Sequence, residues 1–347
     1  MYKITVCGNF GGNEKKADGQ TVKTQNLYDE LCIHYGKEKV SKIDTFRWKK
    51  KPIKLFLNII KSLKNSQNII ALPAQNGVKV IIPLFININK LFNKKIYYST
   101  IGAWLPDMIK EDNKLIKKMQ LLDGIFVETE NMKKRLNKLN INNVYIMKNF
   151  KKLNILSEEE LILNEREYKL CTFSRVMQEK GITEAIKIVK DINNKLNIEK
   201  KCKLDIYGPI NEDYKKEFYK LVNENREYVE YKGIIPYKDA VYVLKQYFLL
   251  LFPTKYKTEG IPGTIIDAYA SGVPILASKW ENFNEVIVEN KTGFGYEFEN
   301  EEDFFLKLEN ILKKPLDEIF EIKKNCLIKA KEYMPEIALK EFYNILK

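Results

Sequence analysis

Apolar and polar positions alternate along this chain in two successive series. In the first, short apolar runs at 3–7, 40–44, 68–72, 95–100, 124–127 and 144–147 are separated by amphipathic stretches at 20–35, 53–63, after Gly77, 112–122 and 131–139. Strand-length apolar runs that alternate with helical periodicity predict β-α units, and therefore a parallel sheet covered by helices on both faces. A polar, charged segment at 149–167 breaks the pattern and reads as a linker. The second series has strands at 169–173, 203–207, 228–231, 248–252 and 273–277, with helices at 179–196, 213–225 and 238–245. A helical tail from about Pro315 exceeds what the second sheet needs and ends in the amphipathic segment EIALKEFYNILK. The pattern predicts an α/β fold of two tandem Rossmann-like, doubly wound domains at 1–155 and 165–330, followed by a terminal helix at 331–347. Such sheets bind ligands at the carboxyl ends of their strands. No internal repeat or coiled-coil heptad interrupts this pattern.

Composition is compatible with two cores: 347 residues, 45% hydrophobic and 12% aromatic. The five cysteines, Cys7, Cys32, Cys171, Cys202 and Cys326, are scattered without a Cys-x-x-Cys pair, so they read as reduced core residues of a cytoplasmic protein. The first residues run straight into a strand with no secretory pattern. The longest largely apolar run, 78–88, is interrupted by Pro83 and falls short of the roughly 20 residues that a spanning helix needs. Charge is divided unevenly. Residues 1–156 hold 29 Lys/Arg against 12 Asp/Glu, a net +17, whereas the remainder holds 30 against 34. Clusters such as Arg47, Lys49, Lys50, Lys51 and Lys133, Lys134, Arg135, Lys138 suit an anionic partner, whether the inner face of a membrane, a lipid-linked phosphate or a nucleic acid; they equally suit a solvated surface.

The candidate chemistry is concentrated in the second series. After the strand ending at Phe252 the chain reads PTKYKTEGIPGTIIDAYASGVP. Gly260, Pro262 and Gly263 crowd a turn before a helix predicted to reach Ala270. A helix entered in this way directs free N–H groups and the positive end of its dipole at a ligand, which favours phosphate. Glu259 and Asp267 offer carboxylates, which accept hydrogen bonds from paired hydroxyls. Upstream, SRVMQEKGI places Arg175 and Lys180 on a loop between a strand and a helix, where two cations suit a diphosphate clamp.

Together these stretches resemble the retaining GT-B glycosyltransferases of family 4, the glycosyl transferases group 1. The family pairs a strand and G-R-x5-K-G with E-G-x-P-x4-E-A-x-A-x-G-x-P. Here the counterparts are FSRVMQEKG (173–181) and EGIPGTIIDAYASGVP (259–274), with LDIYG, YKG and NKTGF in the expected order across most of 168–345. The resemblance implies that Arg175 and Lys180 bind the donor diphosphate and that Glu259 holds sugar hydroxyls. It also implies that the amides beyond Gly260 and Pro262, those of Gly263 and Thr264, meet the distal phosphate, that Asp267 meets the ribose, and that the last helix returns to the first domain. The chain departs from the family pattern in three ways: Asp267 replaces a glutamate, four residues rather than five separate Arg175 from Lys180, and Ser174 replaces a glycine.

The first half matches more loosely. Gly11 and Gly12 form a glycine loop after the first strand, a candidate for meeting donor phosphate, and the G-x-G-x-x-G spacing of a dehydrogenase is absent. Trp104 and Asp107, in IGAWLPDMI, are acceptor candidates, with core packing as the other reading of Trp104. The sole histidine, His34, falls late in the first helix, and no Asp-x-Asp occurs. The expectation is therefore a metal-independent, retaining hexosyl transfer with no cofactor, using a nucleotide sugar, UDP-linked, as co-substrate. The acceptor would be a glycan or a lipid-linked molecule in cell-surface polysaccharide or glycolipid synthesis, with peripheral membrane contact through the basic half. Three alternatives stand beside this reading: a nucleic-acid- or glycan-binding module with a degenerate donor site, a phosphorylase and an epimerase.

Overall fold

The computed structural model describes residues 1–12, 19–163, 167–195 and 201–346. The middle of the glycine loop, part of the expected linker and the expected helix end at Leu196 lie outside the described residues. The first unit comprises Met1–Lys151 and Pro335–Lys347. Its strands are β1 (Tyr2–Gly8), β2 (Val40–Asp44), β3 (Ser66–Leu72), β4 (Lys95–Ser99), β5 (Gly124–Val127) and β6 (Val144–Ile146). They pair in parallel in the order β2-β1-β3-β4-β5-β6. Successive side chains of a strand face opposite ways, and β3 follows this rule. Ile69 and Ala71 join one core with Ile59, Val78 and Phe85, while Ile70 and Leu72 join the other with Val6, Leu27 and Phe126.

The second core of this unit is completed by the end of the chain. Pro335 interrupts the helical tail, and two short helices, Pro335–Ala338 and Lys340–Ile345, bring Leu339, Phe342 and Leu346 into it. The Phe342 ring meets Phe126 edge-on at 4.8 Å. His34 stacks on Tyr343 at 3.9 Å, at the end of its helix remote from the carboxyl ends of the strands. The chain end returns to the first sheet as the family resemblance implied, through two short helices from Pro335 rather than one helix from 331.

The second unit, Lys152–Met334, contains β7 (Tyr168–Phe173), β8 (Cys202–Tyr207), β9 (Val229–Gly233), β10 (Leu249–Phe252), β11 (Ile275–Ser278) and β12 (Gly293–Tyr296). Their order is β12-β11-β10-β7-β8-β9, parallel throughout. Numbered within the unit this is 3-2-1-4-5-6, the doubly wound order whose reversal lies between the first and fourth strands, here β7 and β10. Periodicity did not reveal β12, because it is short and glycine-rich. A Cβ on Gly293 would lie 2.4 Å from the Ile275 carbonyl oxygen, so the strand's close approach to β11 requires the residue that weakens its sequence signal. The expected linker is partly packed: Leu156 is buried and its amide donates to the Ala270 carbonyl at 3.0 Å.

One buried cation gives this unit a pH signature. Lys323, in the helix Leu316–Ala330, has no exposed surface and donates to the Tyr247 carbonyl at 3.0 Å. The Tyr247 hydroxyl in turn donates to Asp205 at 2.7 Å. Burial pushes the Lys323 ammonium down to about 8 from its ordinary 10.5. The unfolded chain therefore holds this proton more tightly, so the penalty is complete below pH 8 and is relieved as pH rises to 10.5. Lys323→Met should be more stable than the parent by about 2 kcal/mol at pH 7, the relieved desolvation less the cost of an unpaired carbonyl. Urea denaturation of both proteins across this range should show the gap closing. A constant gap would contradict a charged, buried Lys323.

Candidate active site

The two strands that flank the reversal carry the two motifs. Beyond β7 the backbone passes Ser174 and the exposed Arg175, then a short 3₁₀ turn, Gln178–Lys180, that ends at Gly181. Beyond β10 it passes Thr254 and Tyr256 to Glu259. Lys180 and Glu259, 79 positions apart, form an ion pair whose side chains are 13% and 16% exposed. Thr254 Oγ1 donates to Glu259 Oε1 at 3.1 Å. The Lys180 Nζ also lies 5.0 Å from the Tyr256 ring centre and 5.6 Å from that of Phe252, within the range of cation–π attraction. The Tyr256 phenol is held above its ordinary value by burial first and then by Glu179, opposed by the Arg175 guanidinium, with Glu259 adding to the rise. Arg175 thus belongs to the same electrostatic neighbourhood, and its side chain makes no ion pair among the described residues.

The backbone around Glu259 is fixed from behind. The buried Asn282 side chain donates to the Glu259 carbonyl at 2.6 Å, and Ser278, at the end of β11, donates to the Thr254 carbonyl at 2.6 Å. Ile261 is buried in the core, which anchors the turn. The helix Gly263–Ala270 then starts from Pro262 with no side-chain cap. Its first bonded amide is that of Ile265, which donates to the Pro262 carbonyl at 3.1 Å. The Gly263 and Thr264 amides therefore belong to the unsatisfied first turn. Thr264 Oγ1 is buried without a partner, an arrangement that favours an incoming acceptor atom.

The remaining sequence candidates are placed differently. Asp267 lies inside the same helix and is 5% exposed. Gly12 is in the first unit, where its amide donates to Asp44 Oδ2 at 3.1 Å and the Gly11 amide donates to Asn9 at 2.9 Å. The Gly11 and Gly12 amides are thus taken up by Asn9 of the loop and by Asp44 at the end of β2. Asp107 pairs with Arg135 at 2.5 Å, and Trp104 packs against the first core. Sequence reasoning missed Thr254, Tyr256, Asn282 and Asp44. Their roles depend on strand pairing and leave no local motif. It also missed the buried pair Lys23–Glu128, at 2.5 Å, whose lysine donates to the Thr100 carbonyl at 2.8 Å and ties the first helix to the ends of β4 and β5.

A family model described as glycosyl transferases group 1 matches residues 155–332. No curated protein matches the chain. Solved structures do. Anabaena HepE, in complex with UDP, aligns over 100% of this chain and 99% of its own at 12% identity, with a TM-score of 0.75. Sucrose-phosphate synthase from Thermosynechococcus elongatus aligns over 100% and 99% at 13% identity and 0.76. The lipopolysaccharide outer core galactosyltransferase WaaB, in its apo form, aligns over 99% and 99% at 13% and 0.71. At such identities the likeness establishes the fold, and the family match adds the lineage: the chain belongs to the glycosyl transferases group 1, with the GT-B architecture.

Proposed function

We propose that this glycosyltransferase moves a hexosyl group, with retention of configuration and without a metal, from a UDP-sugar to a glycan or lipid-linked acceptor in polysaccharide or glycolipid synthesis. The reading rests on one observation above others: the Lys180–Glu259 pair spans the reversal of strand order beside an uncapped helix start. A diphosphate entering there offers Lys180 a more highly charged partner than a single carboxylate. Glu259, released, then accepts hydrogen bonds from sugar hydroxyls. Arg175 supplies a second cation, and the Gly263 and Thr264 amides with the Thr264 hydroxyl supply neutral donors to the distal phosphate. Asp267 is assigned to the ribose hydroxyls and Gly12 to the phosphate side of the donor.

In this proposal the bond between the sugar and the diphosphate breaks while negative charge grows on the departing oxygens. Cations and N–H groups already in position stabilise that charge without reorganisation. The acceptor hydroxyl oxygen bonds to the anomeric carbon on the face that the diphosphate leaves and passes its proton to a departing phosphate oxygen, which yields retention. Two protein cations serve where other transferases use a divalent ion, so a chelator should leave turnover unchanged. UDP as the nucleotide is supported by HepE, which was solved with it.

A thermal-shift series with UDP, GDP, ADP and their sugars, followed by NMR of the product's anomeric configuration, tests this reading. UDP should stabilise most, and the product should keep the donor configuration. Absence of stabilisation by any nucleotide, together with no release of nucleotide from its sugar, would refute it.

A further inference from the structure

We propose that the outward face of the helix Pro52–Asn65 is a docking surface for an anionic phospholipid bilayer. This rests on, and deepens, the reading of a lipid-linked acceptor. The helix buries Leu55, Ile59, Ser62 and Leu63, which fall on one side at 3.6 residues per turn. The opposite side carries Ile53 and Leu57, one turn apart and 74% and 58% exposed, with Phe56 beside them at 43%. Nowhere else among the described residues do three exposed large apolar side chains fall within five positions; the others are scattered, as single surface apolar residues usually are. A clustered apolar crest in water is the feature that marks an interaction surface.

Charge selects the partner. Lys49, Lys50 and Lys51 precede the helix, and Lys54, Lys61 and Lys64 flank its crest; all six are exposed, and none is paired with a carboxylate among the described residues. Residues 45–106 contain 11 Lys/Arg and no Asp or Glu at all. Lysines ringing an apolar crest match a membrane surface, where headgroup charge meets the ammonium groups and the apolar side chains enter the acyl boundary. A nucleic-acid backbone would use the lysines and leave Ile53 and Leu57 in water. At 14 residues the helix is about 21 Å long, too short to span a bilayer, and no helix is long and apolar enough to cross a membrane among the described residues.

Position connects this surface to chemistry. The helix follows β2 and runs back along a parallel sheet, so its first turns lie at the carboxyl ends of the strands. Asp44, the last residue of β2, accepts from the Phe10, Gly12 and Phe46 amides at 3.0, 3.1 and 2.9 Å. The apolar crest thus rises from the same edge of the first unit as the glycine loop. A bilayer resting there would present lipid-linked acceptors to that edge.

The test is flotation of the full chain with vesicles of phosphatidylcholine alone or mixed with phosphatidylglycerol. Wild type should bind the mixed vesicles at least about tenfold better. Ile53→Ser with Leu57→Ser should lose about tenfold of that binding, and so should Lys50→Glu with Lys54→Glu. All these positions are exposed, and each variant should keep its melting temperature and its UDP-induced shift, because none of the four is assigned to the donor and Arg175, Lys180 and Glu259 lie in the other unit. Equal binding to both vesicle types, or retention by either variant, would overturn the inference. Binding of single-stranded RNA as tight as vesicle binding, and indifferent to the Ile53/Leu57 change, would also overturn it in favour of a nucleic-acid partner. Vesicle binding without any UDP shift would leave this inference standing and sink the proposed donor chemistry instead.

Discussion

Lys180→Ala should lower transfer from the nucleotide sugar by roughly 10²–10³-fold, the usual consequence of deleting one preorganised donor to developing negative charge. Its effect on the fold should be small. The side chain is 13% exposed, and its loss removes one ion pair and the attraction to Tyr256 and Phe252, together about 1–2 kcal/mol. The partner substitution should behave in the opposite sense in one respect. Glu259→Gln leaves Lys180 without its carboxylate, so UDP, which has no sugar for residue 259 to hold, should bind more tightly than to wild type. Turnover of the UDP-sugar should nevertheless fall, because the carboxylate that orders the sugar hydroxyls is gone. Isothermal titration with UDP and single-turnover rates separate the two effects. Because both residues share one contact, the double variant should be non-additive. If Lys180→Ala and Glu259→Gln weakened UDP equally, the two side chains would be supporting the loop without exchanging partners, and the donor assignment would fail.

That exchange shows what was legible in the sequence. The alternation of apolar runs and amphipathic stretches placed most strands and helices, because strand and helix periods differ and each sheet is covered on both faces. The helix Gly263–Ala270 was visible from Pro262 and the flanking glycines; the amphipathic pattern showed a terminal helix, and only the family resemblance implied its return to the first domain. Strand order has no local signature. The meeting of Lys180 with Glu259 follows only once β7 lies beside β10, which a chain read in one dimension implies through family likeness alone. The same holds for Asn282 and Thr254, which brace Glu259 through β10 and β11. Asp44 escaped notice because its work is to accept from backbone amides, a role any acidic residue at a strand end can fill. Its effect is to occupy the Gly12 amide, so a phosphate at that loop must displace a carboxylate first. Trp104 and Asp107 were attractive by position, yet the first is packed on the core and the second is bound to Arg135.

The second large effect concerns the separation of the two loops that carry this site. Gly181 has φ near +70°, and a Cβ built on it would sit 1.9 Å from the Pro253 carbonyl oxygen. A left-handed backbone costs a non-glycine residue about 1–2 kcal/mol, and here the obstacle is main chain, which no rotamer change relieves. Gly181→Ala must push the β7 loop away from the β10 loop, so the total cost should be about 4 kcal/mol. For a unit of this size that corresponds to a melting temperature lower by about 10 °C. The displacement also separates Lys180 from Glu259, so the UDP-induced shift should shrink even at temperatures where the variant remains folded. Gly233→Ala is the control that isolates sterics from backbone strain. Its φ is near +80°, yet nothing lies within 4 Å of the added carbon, so it should cost about 1 kcal/mol and leave UDP binding intact. Calorimetry of the two variants with and without UDP decides the matter. Equal melting temperatures would mean that the close approach at Pro253 relaxes freely, and that glycine at 181 serves only its backbone angle. A larger loss at 181, accompanied by weaker UDP binding, would tie the stability of the unit to the spacing on which its donor site depends.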